Sequence, residues 1–170
     1  MDIEARYLSE PGPVGVFTRL TRVGLLVEAF QRDCLDPFGL RFVDYSVLRV
    51  LQLAGPPYAM SPTELADVVV RSSGGMTQIL DRLERAGLVR RAPDPSDRRK
   101  VLASLTPAGV ARAKRAHASY LQARERLLEP LSPAEVEALD ASLHRLLGLL
   151  ERIEGSGAAG APPAAAAHRP

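Results

Sequence analysis

Apolar residues recur at helical spacing along most of this chain, and the interruptions carry the residue types that start and stop helices. From Val14 to about Asp36, the stripe Phe17, Leu20, Val23, Val27, Phe30 and Cys34 predicts a first helix, broken at Pro37-Phe38-Gly39. A second runs from Val43 to Ala54 on Tyr45, Leu48 and Leu51, and ends at Gly55-Pro56-Pro57. Ser61-Pro62-Thr63-Glu64 reads as a capping box: the Ser61 hydroxyl accepts a backbone N–H three residues on, and Glu64 reaches back. Pro62 takes the first helical position, where its missing N–H costs nothing. The short helix it opens (Leu65, Ala66, Val68, Val69) stops near Arg71. Ser72 or Ser73 caps the next, whose apolar positions are Met76, Ile79, Leu80 and Leu83. Gly87 suits the left-handed residue that closes a helix, with Leu88 folding back on the last turn.

Past that helix the period changes. Leu88–Arg91 and Val101–Leu105 are short strand-like runs around a turn-rich loop from Ala92 to Lys100. Thr106-Pro107 then restarts a helix bearing Val110, Ala113, His117, Tyr120, Leu121, Leu127 and Leu128. Ser132-Pro133-Ala134-Glu135 is a second capping box, opening a last helix through Leu139, Leu143, Leu146, Leu147 and Leu150. Residues 1–13 form an arm of uncertain order, and 155–170, GSGAAGAPPAAAAHRP, is a low-complexity tail with no means of building a core, predicted to be disordered.

Two helices joined by a short turn, the second with a polar outer face, describe a helix-turn-helix. That face carries Ser73, Thr77, Gln78, Asp81 and Arg82, all short or forked hydrogen-bonding groups. Gln suits adenine edges, Thr can meet a thymine methyl, and Ser or Arg binds phosphate as well as bases. Ser72, Ser73, Thr77, Gln78 and Arg82 are therefore the candidate DNA contacts on this helix, although Ser72 or Ser73 could equally be no more than a cap. Gly74 and Gly75 would let the helix start approach a backbone closely. The hairpin that follows makes this a winged helix. It holds five Lys/Arg against two Asp between Leu88 and Lys100, and Arg98 and Arg99 sit at its tip. For Arg98 and Lys100, phosphate contact and plain solvation both remain open.

Composition changes this picture little. The net charge of +2 is too small to imply nucleic-acid binding, so the local clustering in the hairpin is what counts. At 46% hydrophobic residues with no Trp, Leu, Val and Ala must fill the core. A single cysteine excludes an internal disulfide framework and fits a reducing cytosol. The acidic start MDIEARYLSEPG is unlike a signal peptide, and no apolar run approaches a membrane span, so a cytoplasmic, soluble protein is expected. His117, His144 and His168 are isolated and without a ligand cluster, so no metal or cofactor is expected. No nucleophile–base pair or phosphate-cradling glycine loop points to an enzyme. The terminal helices carry more apolar surface than so thin a domain covers, and the economical partner for a leucine stripe is a second copy.

LxxxGLVRR at 83–91, DPSDRR at 94–99 and LTPAG at 105–109, in this order and spacing, resemble the MarR family of bacterial transcription regulators from about Phe17 to Ile153. The resemblance implies a mainly α, winged helix-turn-helix protein with a small β-hairpin wing and long terminal dimerisation helices. Its domain would span 14–154, with a DNA-binding core at about 43–105 and dimerisation helices at about 14–36, 107–129 and 133–153. It implies a homodimeric, sequence-specific regulator, most simply a repressor on a near-palindromic site of double-stranded DNA. A small phenolic or other aromatic effector would bind between dimer helices and winged helix. Arg99 would enter a minor groove, with Asp97 fixing the tip. Many members carry Arg where Gln78 stands, so base preference does not transfer. Some members sense peroxide through a cysteine near the start of the first helix; Cys34 lies at its end on the apolar stripe, where a thiol is inert. A thiol-based redox regulator, or a winged helix used for protein–protein contact without DNA, are the rival readings. The second would call for an acidic or apolar recognition face and a neutral wing, which this sequence lacks.

Overall fold

A computed structural model describes residues 3–69, 73–97 and 99–155 of the chain. In order the elements are α1 (Ile3–Leu8), α2 (Gly12–Leu35), a 3-10 turn (Asp36–Phe38), α3 (Phe42–Leu53), β1 (Ala59–Met60), α4 (Pro62–Val69), α5 (Ser73–Arg85), β2 (Val89–Pro93), β3 (Val101–Leu105), α6 (Pro107–Leu128) and α7 (Pro133–Gly155). The chain divides into two compact units, 1–124 and 125–170.

In the first unit the core is built where α3, α4 and α5 meet the sheet. Leu48, Leu51, Leu65, Met76, Leu80, Leu83, Leu88 and Val89 are essentially sealed from solvent, with Leu35 from α2 and Ala113, Ala116 and Tyr120 from α6. The expected apolar positions of α3 and α5 are thus the buried ones. Burying a leucine or methionine side chain contributes about 1.5–3 kcal/mol, so this cluster supplies most of what holds these helices to the sheet. The helix starts follow their caps. Glu64 N–H donates to Ser61 Oγ (3.2 Å) and Ser61 N–H donates to Glu64 Oε2 (2.8 Å). That hydroxyl and the accompanying backbone bond hold the Glu64 carboxyl below its usual range. Thr106 caps α6 by accepting from Gly109 N–H at 3.0 Å.

Two features depart from the expected outline. The wing is a three-stranded antiparallel sheet in the order β1-β3-β2, not a bare hairpin, because Ala59 and Met60 pair with Ser104 and Ala103. Two residues are too few for a period-2 pattern to reveal. The arm at 1–13 contains α1, joined to α2 through a corner in which Arg19 Nη1 donates to the Leu8 and Glu10 carbonyls (2.9 and 3.3 Å). Gly15 makes that corner possible: a Cβ there would fall 1.6 Å from the Glu10 carbonyl oxygen. On α2 the stripe is only half used. Phe30 and Cys34 pack on the core, whereas Phe17, Val23 and Val27 remain exposed.

In the second unit, the turn after α6 is closed by Leu131 N–H on the Leu128 carbonyl (2.9 Å), and Ser132 and Glu135 form the second expected box. Along α7, Val136, Leu139, Leu143, Leu146, Leu150 and Ile153 alternate spacings of three and four, a heptad seam. Leu139, Leu143, Leu150 and Ile153 of that seam are exposed. The expected disordered tail, beyond Gly155, lies outside the described residues.

Candidate nucleic-acid interface

The local sequence fixes where α5 ends and the wing begins. Gly87 takes the left-handed conformation (φ 68°), Leu88 N–H reaches back to Leu83 O (2.9 Å) and Gly87 N–H to Glu84 O (2.9 Å). These are the two bonds of a Schellman motif, and Leu88 is buried as that motif asks. The chain leaves directly into β2. At the other root of the hairpin, Thr106 Oγ1 donates to the Gly87 carbonyl at 2.7 Å, so the cap of α6 also pins the end of α5.

The outer face of α5 presents Thr77 and Gln78, both exposed, with Gly74 exposed and open to its surroundings. Ser72 and the side chain of Ser73 lie outside the described residues, as does Arg98. Arg82, expected on the same face, has a different partner. Its guanidinium is half-buried and turned inward to Asp44 on α3, with Nε at 3.0 and 3.2 Å from the two carboxylate oxygens and Nη2 on Oδ1 as well. Asp44 is 3% exposed, and it also accepts from Arg41 N–H at 3.1 Å, capping α3. The hydrogen bond to Asp44 raises the Arg82 pKa above its ordinary value. One carboxylate therefore starts a helix and ties α5 to it. Sequence reading missed this pair although a signal existed: Asp44 lies three and four residues before Val47 and Leu48, on the buried face of α3. A carboxylate there needs a cation.

At the wing tip, Asp94 accepts from Ser96 N–H and Oγ (both 2.7 Å), while Asp94 N–H bonds Lys100 O (2.9 Å) and Lys100 N–H bonds Asp97 O (2.8 Å). Asp97 then takes the Arg99 backbone N–H and Nε at 3.1 Å and Nη2 at 3.3 Å. The Arg99 side chain is 91% exposed. Its guanidinium is thus paired with Asp97 while the side chain stays open to solvent. Its hydrogen bonds hold the Asp97 carboxyl below the usual range. Lys100 is exposed beside it.

Two groups singled out earlier lie away from this surface. Cys34 is half-buried against the core, and its pKa is raised by burial first and Asp33 second, the opposite of what a reactive thiol needs. His117 has a partner that sequence spacing could not show, the Tyr45 hydroxyl, 2.8 Å from Nδ1. Tyr120 meets the Tyr45 ring edge-on at 5.4 Å between centroids, and Arg124 lies over Tyr120 at 4.7 Å. No helix among the described residues is long and apolar enough to cross a membrane.

The sequence model of the MarR family matches residues 38–100, from the 3-10 turn to the wing tip. Across 79% of this chain and 81% of its own length, the HTH-type transcriptional regulator PecS of Dickeya dadantii is 33% identical. An HTH-type transcriptional repressor of Mycobacterium tuberculosis is 32% identical over 82% of this chain and 96% of its own. Among solved structures, AbsC, a MarR family transcriptional regulator from Streptomyces coelicolor, superposes with a TM-score of 0.72 at 27% identity, over 80% of this chain and 92% of that one. A cysteine-to-serine mutant of Escherichia coli MarR complexed with operator DNA gives 0.69 at 27% identity, over 86% and 99%. With the wing, the capped recognition helix and these relatives agreeing along most of its length, the chain belongs to the MarR family of winged-helix transcription regulators.

Proposed function

We propose that this protein is a sequence-specific DNA-binding repressor that acts in the cytoplasm as a homodimer on a pseudo-palindromic site. The observation that carries the reading is the pairing of an exposed, uncharged Thr77–Gln78 face on α5 with the outward Arg99 of the wing. The helix has the chemistry to read base edges in a major groove, and the arginine has the charge to occupy the minor groove beside it. Support for the dimer comes from the exposed apolar residues of α2 and of the heptad seam of α7. A two-fold dimer would set its recognition helices one turn of DNA apart, about 34–36 Å. Ser72, Ser73 and Arg98 stay in the proposed contact set on the phosphate- and base-binding chemistry of their side chains and their place in the sequence. Arg82 enters it as the residue that orients α5 rather than as a base contact.

Repression is relieved, in this reading, by a small phenolic or other aromatic effector. The family resemblance suggests it. An effector would act only by favouring a dimer whose recognition helices are wrongly spaced. The test is selection of bound fragments from sheared genomic DNA by the purified full-length protein. Fragments sharing an inverted repeat, with half-sites one helical turn apart, are expected. Retention indifferent to sequence would sink the reading.

A further inference from the structure

The helix and the wing are joined by an ion cluster that neither DNA contact requires. Glu84 on α5 accepts from Arg91 of β2 at three points: backbone N–H to Oε1 (3.0 Å), Nε to Oε2 (2.9 Å) and Nη2 to Oε2 (2.6 Å). Arg91 Nη2 also donates to Asp81 Oδ1 at 2.5 Å. Asp81 and Glu84 are one turn apart, so the guanidinium bridges two carboxylates of one helix from the root of the wing. We infer that Arg91 is a positioning residue: with Glu84 and Asp81 it locks the wing to the recognition helix, so that Arg99 and the Thr77–Gln78 face meet DNA as one rigid body.

The geometry supports a lock rather than a surface ion pair. A lone side-chain pair leaves a strand free to rotate about its own axis. Here Glu84 holds both the main chain and the side chain of one residue, which fixes rotation as well as distance. Arg91 stands opposite Ala103 in the register, so the other edge of β2 is tied to β3. Beyond the short β1 pairing at Ser104 and Ala103, β2 and β3 continue as a two-stranded hairpin, which has little stiffness of its own. With its root clamped, the tip eight residues on takes its direction from α5. Donation to Glu84, then to Asp81, raises the Arg91 pKa, and the Arg91 bonds lower that of Glu84. Thr106 pins the same root from the β3 side, on the Gly87 and Leu88 carbonyls, but makes no bond to α5 itself.

This inference rests on the DNA-binding reading, and its test separates the two. Glu84→Ala removes one negative charge near DNA, and Arg91→Lys leaves the charge unchanged while losing the fork. If the cluster acted only through charge, Glu84→Ala would tighten binding to every duplex and Arg91→Lys would alter nothing. A lock predicts that both variants lower the ratio of cognate to unrelated affinity by roughly tenfold, a coupling usual for residues sharing one ion network. Both should also abolish the energetic coupling between Arg99→Ala and Gln78→Ala in a double-mutant cycle. A readout without DNA completes the test. Spin labels at Gln78→Cys and Lys100→Cys, in a Cys34→Ser background, should give a narrow distance distribution that broadens with either variant. An unchanged ratio together with an unchanged distribution overturns the lock while leaving DNA binding intact. Failure of the unsubstituted protein to discriminate among duplexes overturns both.

Discussion

Asp44 and Gly109 are each held by a constraint that their residue type alone satisfies. Asp44→Ala would strip α3 of its cap and leave Arg82 facing the core without an anion. Breaking a fully buried pair costs about 3–5 kcal/mol. Because a third of the Arg82 side chain reaches solvent, about 2–3 kcal/mol is expected here. Denaturant unfolding would measure it, and a loss below half of that would mean water already satisfies Arg82. Gly109, the glycine of the LTPAG run, lets α6 start against the wing root: a Cβ there would sit 2.0 Å from the Leu88 carbonyl oxygen. Gly109→Ala must therefore push strand and helix apart, at about 1–3 kcal/mol, visible as a lowered thermal midpoint. The run was legible in the sequence as a family signature, but the reason for its glycine lies in a contact between residues 21 positions apart. The Asp44–Arg82 pair is similar. An acid on an apolar stripe signals that some cation must come, and spacing alone cannot say which.

His117 adds a pH dependence at the same scale. Burial first, then Arg49 and Arg124, push its pKa below the ordinary histidine value. The folded state thus binds a proton less readily than the unfolded chain. Its contribution to stability is complete above the unfolded pKa and is lost as pH falls through the folded one. The thermal midpoint should therefore decline on acidification from about pH 6.5, well above the range where carboxylates titrate. His117→Gln should flatten that decline. A slope identical in the two proteins would place the responsible proton elsewhere.

At the scale of elements, caps and periodicity did most of the predicting. The boxes at Ser61–Glu64 and Ser132–Glu135 and the glycine at position 87 place α4, α7 and the end of α5 within a residue or two, because each is a local bond between near neighbours. What pattern could not reach was assembly between elements: the third strand, the α1–α2 corner and the Arg91 cluster. These depend on pairs in different elements, each carried by one or two residues that no helical or strand period links. The heptad of α7 is the converse, legible along the helix and with Leu139, Leu143 and Leu150 left exposed. Leu143→Asp puts a charge in the middle of the seam. If α7 closes the proposed dimer, that charge is buried unpaired, at a cost of several kcal/mol. Sedimentation at micromolar concentration should then report monomer or unfolded chain. A stable, fully folded dimer would take Leu143 out of the interface.

For the molecule as a whole, the question is how helix and wing divide the work of holding DNA. Arg99 is an exposed charge whose guanidinium rests on Asp97, whereas Gln78 offers a neutral amide on a helix face. Their removal should leave different signatures. Arg99→Ala should weaken binding to cognate and to most unrelated duplexes, since groove potential and phosphate charge exist in all of them. One lost contact per subunit, two per dimer, should reduce the log–log salt slope by about two. Gln78→Ala should leave that slope nearly intact and relax discrimination at one base pair of each half-site, by about 1–3 kcal/mol. Salt titrations of both variants, on a cognate duplex and on its single-base variants, separate the two modes. Equal and uniform losses would demote Gln78 to a backbone contact. An Arg99→Ala protein with unchanged affinity and slope would mean that the wing stands clear of DNA. Discrimination would then rest on α5 alone, and the basic hairpin, the most telling feature of the sequence, would need another purpose.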